Sequence, residues 1–460
     1  MRGTVTILAC WSVSATLAHA AGPSGDAERY WPQWRGPTAT GVAPHGDPPV
    51  TWSESKNIRW KIEIPGIGHA TPIVWGDRVY VQTAVKTDTK AKPEELARQP
   101  APSRSSGRRG RRGRGGRDWM GTKQPTHAHK FVLLAIDRRT GKTVWQRTLC
   151  EELPHERLHR DASQASNSPV TDGQRVYAYF GSRGLYCLDM QGKVIWQKRF
   201  GKMQTRNAFG EGSSPALHGD TIVVNWDHEG QSFIVALDKE TGKQRWKVDR
   251  DERTSWATPL VVIVGGTPQV VTSATSRIRS YDLKTGKLVW QCGGMTTNVI
   301  PSPVCGNDLV YAMSGYRGSA LLAIRYADAK GDITDSDAVA WKYDGPGTPY
   351  APSPLLYGDT LYFLDRNRSL LSCFNAKTFK ENYTRQRLEG MVGGYVSPVG
   401  ASDRVYVLDR SGKMAVIRRG PEFELLATNA LDDRFTASPA IVGKEIYLRG
   451  GRNLYCIAED

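Results

Sequence analysis

A unit of about 44 residues recurs along this chain and constrains the fold more than any other feature of the sequence. Each unit begins with a small residue, closely followed by a proline. These prolines are Pro72, Pro169, Pro215, Pro259, Pro303, Pro354, Pro398 and Pro439. Successive prolines are 97, 46, 44, 44, 51, 44 and 41 residues apart, so the first spacing alone is anomalous. A period of roughly 40 to 50 residues is typical of a repeat architecture.

The unit at residues 213–246 predicts four short strands. Turn residues separate runs that are apolar and β-branched, and Asp238 and Gly242 have the chemistry of a tight hairpin. The predicted strands are 215–217, 221–225, 233–237 and a fourth that begins at Arg245. No unit has the apolar spacing near 3.6 that a helical solenoid needs. The eight units therefore predict an all-β chain, an eight-bladed β-propeller of four-stranded antiparallel blades.

The two ends of the chain predict how the ring closes. The C-terminal unit, 438–459, has three strands, and residues 57–64 (NIRWKIEI) read as a fourth strand without a blade of its own. We expect this N-terminal strand to complete the last blade, so that no sheet edge is left open. Residues 57–460 then form a single domain. The proline- and glycine-rich residues 21–56 are expected to form an extended lead-in on the outside of the ring.

Residues 1–20 have the pattern of a secretory signal peptide. Arg2 is followed by a short apolar stretch and by a small-residue cleavage site at 18–20. We therefore expect an exported protein of the periplasm or cell envelope, without a transmembrane segment. Residues 7–10, which end at Cys10, have the residue types of a lipoprotein box, so the question whether Cys10 is lipidated stays open. The six other cysteines contain no CxxC pair, so no metal site is predicted.

The long first spacing contains a basic insertion. Residues 86–125 hold twelve Lys or Arg against four Asp or Glu, a net charge of +8 out of the chain's +16. We expect the insertion, at about 86–128, to be disordered. Three interpretations stay open: contact with an anionic surface or an acidic partner, a merely solvated loop, and nucleic-acid binding, which export disfavours. The anion-binding candidates are Arg104, Arg108, Arg109, Arg111, Arg112, Arg114 and Arg117.

The repeat pattern SxP–GDxVY–LxxLDxxTGKxxW, with WPQWRG before it, resembles the pyrroloquinoline-quinone-like β-propeller repeat proteins, which include the outer-membrane assembly factor BamB. The resemblance covers residues 31–459. It implies that fourth-strand tryptophans pack between neighbouring blades. These are Trp60, Trp145, Trp196, Trp246, Trp290 and Trp341. Tyr383 and Leu425 take this place in the sixth and seventh units, where less regular packing is expected.

The topology of a four-stranded blade predicts where a ligand site would lie. The loops between second and third strands and the loops between blades emerge on one face, and the latter converge on the axis. The converging loops are expected to surround a funnel on the axis, with one polar or aromatic residue from each blade at its wall. The candidates are His69, Asn167, Glu211, Trp256, Asn298, Tyr350, Tyr395 and Arg434. Loop tips of any exported propeller are polar, so the same pattern is compatible with a surface that binds nothing.

Function is predicted as a non-catalytic, monomeric binding scaffold for a protein or cell-envelope component, without a cofactor. No Ser-His-Asp, HExxH or glycine-rich phosphate motif supplies catalytic residues. The resemblance implies one alternative function, a dehydrogenase that uses pyrroloquinoline quinone (PQQ) and calcium. Adjacent cysteines are absent, and Glu211, Asn167 and Asn298 offer few of the roughly six to eight oxygens that calcium takes. A carbohydrate-binding module or another exported enzyme is the second alternative.

Overall fold

The computed structural model describes residues 26–97 and 121–459. They form eight antiparallel blades arranged in a ring, which confirms the predicted eight-bladed β-propeller. The predicted signal peptide, Cys10 and the arginines at 104–117 lie outside the described residues. Within the described ranges, no helix has both the length and the apolar character needed to cross a bilayer. The six cysteines of these ranges are unpaired.

Blades 1 to 4 follow the chain in order from the axis outward. Blade 1 consists of Ile73–Trp75, Arg78–Lys90, His127–Asp137 and Thr143–Glu152. Blade 2 consists of Val170–Thr171, Arg175–Tyr179, Leu185–Asp189 and Val194–Lys198. Blade 3 consists of Ala216–His218, Thr221–Trp226, Ser232–Asp238 and Gln244–Arg250. Blade 4 consists of Leu260–Val264, Thr267–Ser273, Ile278–Asp282 and Leu288–Cys292, with Gly331–Asp332 added in parallel at its edge.

Blades 5 to 8 continue the ring. Blade 5 consists of Val304–Gly306, Leu309–Ser314, Ala320–Arg325 and Val339–Tyr343. Blade 6 consists of Leu355–Tyr357, Thr360–Leu364, Leu370–Asn375 and Glu381–Arg387. Blade 7 consists of Val399–Ala401, Arg404–Leu408, Lys413–Arg418 and Leu425–Ala430. Blade 8 consists of Ala440–Val442, Glu445–Arg449, Asn453–Ile457 and the N-terminal Ile58–Glu63.

Short elements occupy the connections between strands. They are the helix Pro93–Ala97, the 3₁₀ turns Asp26–Arg29, Gly181–Arg183 and Arg206–Ala208, and the two-residue strands Thr122–Lys123 and Leu158–His159, which pair with each other.

Blade 3 illustrates why the repeat folds as it does. All six residues of Thr221–Trp226 are buried, as expected for a strand whose two faces both pack against neighbouring blades. In the hairpin that follows the third strand, the Asp238 carboxylate accepts hydrogen bonds from the backbone and the hydroxyl of Thr241, at 2.9 and 2.8 Å. Gly242 adopts a φ of +68°, the left-handed conformation that glycine tolerates best.

The N-terminal strand closes the ring as predicted. Ile58–Glu63 pairs antiparallel with Asn453–Ile457 and forms the outer strand of blade 8. Ile58 lies opposite Ile457, and Trp60 lies opposite Cys456. The last blade therefore has an outer strand that comes from the other end of the chain, and the third strand of blade 8 is not left as an unpaired edge.

Residues 31–43 of the lead-in lie at the centre of the ring, so the expectation that the lead-in packs on the outside is wrong for this part. Trp31 and Val42 form backbone bridges to the inner strands of blades 1 and 7. Between them, the Arg35 guanidinium is buried and donates to the carbonyls of Pro354 and Pro398, at 2.6 and 2.7 Å. The inner strands thus offer the lead-in both carbonyl groups and backbone pairing. Further along, the Trp52 N–H donates to the Asn429 side chain of the outer strand of blade 7 at 2.8 Å.

The structure corrects two further expectations from the sequence. Disorder was expected over residues 86–128, but Arg78–Lys90 and His127–Asp137 pair as far as Lys90 and His127, because the extended ladder satisfies their backbone groups. In blade 7, the strand register places Ala427 opposite Val416, which is where other blades have tryptophan, while Leu425 lies two residues away and is 47% exposed.

Four outer-strand tryptophans connect each blade to the next. The indole N–H groups of Trp60, Trp145, Trp196 and Trp246 donate to the carbonyls of Arg138, Met190, Lys239 and Leu283, at 2.8 to 3.0 Å. Each indole also lies over the hairpin glycine of the next blade. A Cβ on Gly141, Gly192, Gly242 or Gly286 would come within 2.9 Å of the ring. The hairpin glycine and the tryptophan therefore form the two sides of one contact between neighbouring blades.

Trp290 and Trp341 pack differently from these four. Trp290 is fully buried, and Gly331–Asp332 pairs alongside its strand. Trp341 is partly exposed and stacks on Phe379 of blade 6, with ring centroids 5.0 Å apart.

These two environments predict different energetic costs for the same truncation. Trp290→Ala should lower the free energy of unfolding by about 3–5 kcal/mol, as is usual for a buried aromatic residue. Trp341→Ala should cost roughly half as much, because part of its ring already contacts water. Urea unfolding of the two variants would measure this difference. Equal losses would mean that the edge strand Gly331–Asp332 does not protect Trp290 in solution.

Candidate functional site

A chain of hydrogen bonds surrounds the propeller axis. The residue before each repeat proline is Ser or Thr, and its hydroxyl accepts a hydrogen bond from the backbone N–H of the equivalent residue in the preceding blade. The seven bonds measure 2.9 to 3.0 Å and link, in order, Thr71, Ser168, Ser214, Thr258, Ser302, Ser353, Ser397 and Ser438. The Thr71 hydroxyl, at the seam between blades 8 and 1, has no partner among the described residues. We call this set the hydroxyl ring.

The hydroxyl ring surrounds a cavity of about 410 Å³ that opens on the face predicted from the blade topology. Every member of the ring except Thr71 lines this cavity. Trp34 of the lead-in also lines it, and its indole N–H donates to the Ser302 hydroxyl at 3.0 Å. The cavity is thus an axial funnel, and the lead-in supplies part of its wall.

Five of the eight predicted funnel residues line this cavity, and three do not. Those that line it are His69, Glu211, Trp256, Tyr350 and Tyr395. Asn167 is buried behind the wall, where its amide donates to the Ser213 carbonyl at 2.7 Å. Asn298 is also buried and lies beside Tyr350, and neither of its amide atoms has a hydrogen-bond partner among the described residues. Arg434 is exposed.

Sequence reasoning missed several aromatic residues of the wall. On one side, His159 meets Phe209 edge to face at 5.4 Å, and Phe209 lies 6.3 Å from Trp256. On another side, Tyr316 stacks on Tyr350, with centroids 4.9 Å apart. All five residues line the funnel. The sequence signal that could have identified these residues is their position in loops between strands, because aromatic residues are more common in the core.

The loop before Phe209 has an unusual backbone conformation. Asn207 and Ala208 are consecutive non-glycine residues with φ values of +52° and +55°. This left-handed conformation is costly for alanine, and backbone strain of this kind concentrates at functional sites. The strain therefore lies next to one of the aromatic residues that form the funnel.

Ionisable groups in the funnel wall are mostly held in their neutral forms. Burial lowers the pKa of His69 to about 4, and burial also lowers the pKa of His159. Burial raises the pKa of Tyr350 to about 12. The Asp161 carboxylate also lines the funnel and accepts a hydrogen bond from the Tyr395 hydroxyl at 3.2 Å. These side chains are consequently neutral at pH 7, and the Asp161 carboxylate is hydrogen-bonded within the wall.

A cluster of buried ionisable groups lies beside the funnel. The ligand-type atoms of His155, Glu156 and Glu211 all lie within 4.8 Å of one another. Glu211 accepts hydrogen bonds from the backbone and hydroxyl of Ser182, at 2.5 and 2.7 Å, and its carboxylate lies 3.3 Å from the Arg183 guanidinium. Glu156 accepts hydrogen bonds from the backbone and hydroxyl of Thr205, at 3.0 and 2.6 Å, and the His155 Nε2 atom lies 2.6 Å from the Met203 carbonyl, so each of the three groups has a protein partner.

The pKa values in this cluster shift for the same physical reason. Burial raises the pKa of Glu156 to about 7, and the neighbouring Glu211 carboxyl adds to this effect. Burial lowers the pKa of His155 to about 4, and the Arg183 charge acts in the same direction. Burial also raises the pKa of Glu211. The cluster thus carries less charge at neutral pH than its residue types suggest.

The funnel residues fit calcium-bound PQQ poorly. Among the described lining residues, none is Lys or Arg, although PQQ is a multiply charged anion. Of the two lining carboxyl groups, Glu211 is bound by Ser182 and Arg183, and Asp161 is bound by Tyr395. Calcium takes about six to eight oxygen ligands, which this donor set does not supply.

Arginines surround the mouth of the funnel. Four of them affect the pKa of lining residues electrostatically: Arg160 and Arg410 act on Tyr395, Arg206 acts on Tyr350, and Arg434 acts on His69. The fifth, Arg317, lies over the Tyr316 ring at 5.4 Å. Arg160 forms an ion pair with Asp161 at 3.8 Å, whereas the other four form none within residues 26–97 and 121–459. We call these five residues the rim arginines.

The raised pKa of Glu156 predicts a pH dependence of stability. The folded protein holds this proton more tightly than the unfolded chain, whose glutamates titrate near 4.5. The resulting stabilisation is fully present below pH 4.5 and is lost as the pH rises through about 7. It amounts to roughly 3 kcal/mol. In Glu156→Gln, the free energy of unfolding should therefore fall less between pH 5 and pH 8 than in the wild type.

Chemical unfolding at several pH values would test this prediction. Glu94→Gln, in the exposed first turn of the helix Pro93–Ala97, is the matched control and should follow the wild-type curve. Parallel pH curves for Glu156→Gln and the wild type would contradict the assignment.

Comparisons with known proteins identify the family. Residues 129–380 match the family model described as "Outer membrane protein assembly factor BamB". The BamB of Yersinia pestis is 24% identical over 347 residues, which are 65% of this chain and 83% of that protein.

Two solved structures are similar to the chain. The quinohemoprotein alcohol dehydrogenase from Comamonas testosteroni has a TM-score of 0.57 at 11% identity, over 94% of this chain and 81% of that one. BamB from Moraxella catarrhalis has a TM-score of 0.47 at 14% identity, over 82% of this chain and 97% of that one. The dehydrogenase similarity supports the propeller fold and nothing further. Because the family model matches more than half of its residues, this chain belongs to the family of the outer membrane protein assembly factor BamB.

Proposed function

We propose that this protein is an exported, non-catalytic scaffold that binds a protein partner of the cell envelope at the funnel face of the propeller. The observation that carries the proposal is the open aromatic funnel surrounded by arginines. Aromatic residues and arginine are enriched at protein interfaces, where they contribute much of the binding energy. The similar BamB proteins are named outer membrane protein assembly factors, and this name supports a binding role.

The two carboxyl groups and His69 of the funnel wall also favour binding over catalysis. A catalytic acid or base needs access to substrate and a pKa suited to its task. Glu211 and Asp161 are hydrogen-bonded within the wall, and His69 is held neutral by burial. These groups therefore shape and stabilise the funnel.

Site-specific photo-crosslinking would test the proposed binding face. The two positions compared are Arg317, over Tyr316 on the funnel face, and Arg419, over Tyr357 near the end of an inner strand on the opposite face. A benzophenone amino acid at position 317 should give a discrete adduct with an envelope protein of the source cell. The same amino acid at position 419 should give none. Adducts of equal yield from both positions, or from neither, would count against a partner at the funnel face.

A second measurement concerns the cofactor. We propose that the protein does not use PQQ, because the funnel lacks cationic side chains among its described lining residues and its carboxyl groups are engaged. Purified protein mixed with calcium and PQQ should retain no quinone through gel filtration and should pass no electrons from alcohols or sugars to a dye. Stoichiometric retention, with dye reduction that is lost in Glu211→Gln, would instead establish a dehydrogenase.

A further inference from the structure

We infer that the funnel takes up an aromatic side chain from an acidic segment of the partner, and that carboxylates flanking this side chain pair with the rim arginines. This inference rests on the proposed function and adds the chemistry of the segment that is recognised. It follows from the contrast between an apolar interior and a cationic mouth.

The interior suits an aromatic guest. Phe209, Trp256, Tyr316 and Tyr350 present ring surface to the cavity from two sides. Aromatic pairs prefer offset or edge-to-face contacts at centroid distances of about 4.5–7 Å, and these contacts add to the gain from burial. A cavity of about 410 Å³ lies towards the small end of ligand pockets, which matches a side chain better than a large ligand.

Both indole N–H groups of the described cavity wall are already engaged, which disfavours a sugar. Trp256 donates its indole N–H to the Gly210 carbonyl at 2.6 Å, and Trp34 donates to Ser302. Seven hydroxyl oxygens of the hydroxyl ring accept backbone N–H groups, and each of these hydroxyls keeps its own O–H as a donor. A buried sugar would need a partner for each of its hydroxyls, because an unpaired buried polar group is costly. An aromatic side chain makes no such demand.

The mouth suits carboxylates. Arg206, Arg317, Arg410 and Arg434 have no ion pair within the described residues, so their guanidinium groups are available to a partner. Arginine binds carboxylates with two parallel hydrogen bonds in favourable geometry. A cationic mouth around an apolar cavity also attracts an acidic segment at long range and disfavours a basic one.

Fluorescence anisotropy with synthetic peptides would test this inference. The first probe is a short labelled peptide with a central tryptophan flanked by aspartates and glutamates. In the second, serine replaces the tryptophan, and in the third, lysines replace the acidic residues. The first peptide should bind the full-length protein at least about tenfold more tightly than either of the others, since the second lacks the aromatic anchor and the third carries charges that the rim arginines repel. Added salt should weaken its binding.

Matched variants assign the binding to the funnel. Tyr316→Ala should weaken binding of the tryptophan peptide about tenfold, since it removes one wall of the cavity. Tyr357→Ala, which removes the equivalent tyrosine beneath Arg419 on the opposite face, should have no effect. The double variant Arg410→Glu, Arg434→Glu should abolish the preference for the acidic peptide. The double variant Arg139→Glu, Lys243→Glu changes the net charge equally, in hairpins of the opposite face, and should preserve the preference.

The outcomes separate this inference from the proposed function. Equal binding of all three peptides, or equal effects of the variants on the two faces, would overturn the inference. If position 317 still formed its crosslink with an envelope protein, the scaffold function would stand and the recognition chemistry would be different. Absence of both the crosslink and selective peptide binding would overturn both proposals.

Discussion

The structure depends on a hydrogen bond, made by the residue before a proline, that links neighbouring blades at seven of the eight junctions of the ring. The proline ring restricts that residue to extended conformations, and its backbone N–H needs a partner when buried. The Ser or Thr hydroxyl of the next blade accepts this hydrogen bond. For example, the backbone N–H of Ser168 donates to the Ser214 hydroxyl. Repetition of this bond fixes neighbouring inner strands relative to one another. The same hydroxyls form the collar of the funnel, so the bond that sets the fold also sets the shape of the candidate site.

Local chemistry made most of the fold predictable. The β-branched strands recur along the chain, the outer-strand tryptophan recurs in six of the eight blades and the Asp–Thr–Gly hairpin in three, and the missing strand of the last unit matched the strand at residues 57–64. The path of the lead-in was not predictable. Residues 21–56 have no periodicity, and the position of this segment is set by distant contacts such as those of Arg35 with the carbonyls of Pro354 and Pro398. Contacts of this kind leave no pattern in the sequence near Arg35.

The candidate site was partly predictable, for a similar reason. Blade topology predicted the face on which the cavity opens, and Trp256, Tyr350 and Tyr395 line that cavity. It did not reveal Phe209 and Tyr316, because the direction of a loop side chain depends on backbone conformations that strand patterns do not encode. The left-handed residues Asn207 and Ala208 before Phe209 are an example. Asn298, itself left-handed, is buried beside Tyr350 and does not line the cavity.

Closure of the ring by the two ends of the chain has a kinetic consequence. Ile58 pairs with Ile457, so the outer edge of blade 8 forms only when residues from both ends are present together. The entropic cost of closing such a long loop grows only slowly with its length, but contacts between distant residues slow folding strongly. The third strand of blade 8 therefore keeps an unpaired edge until the N-terminal strand adds to it. During that interval another copy of the chain can compete for the same edge, which makes blade 8 the point where folding and aggregation diverge.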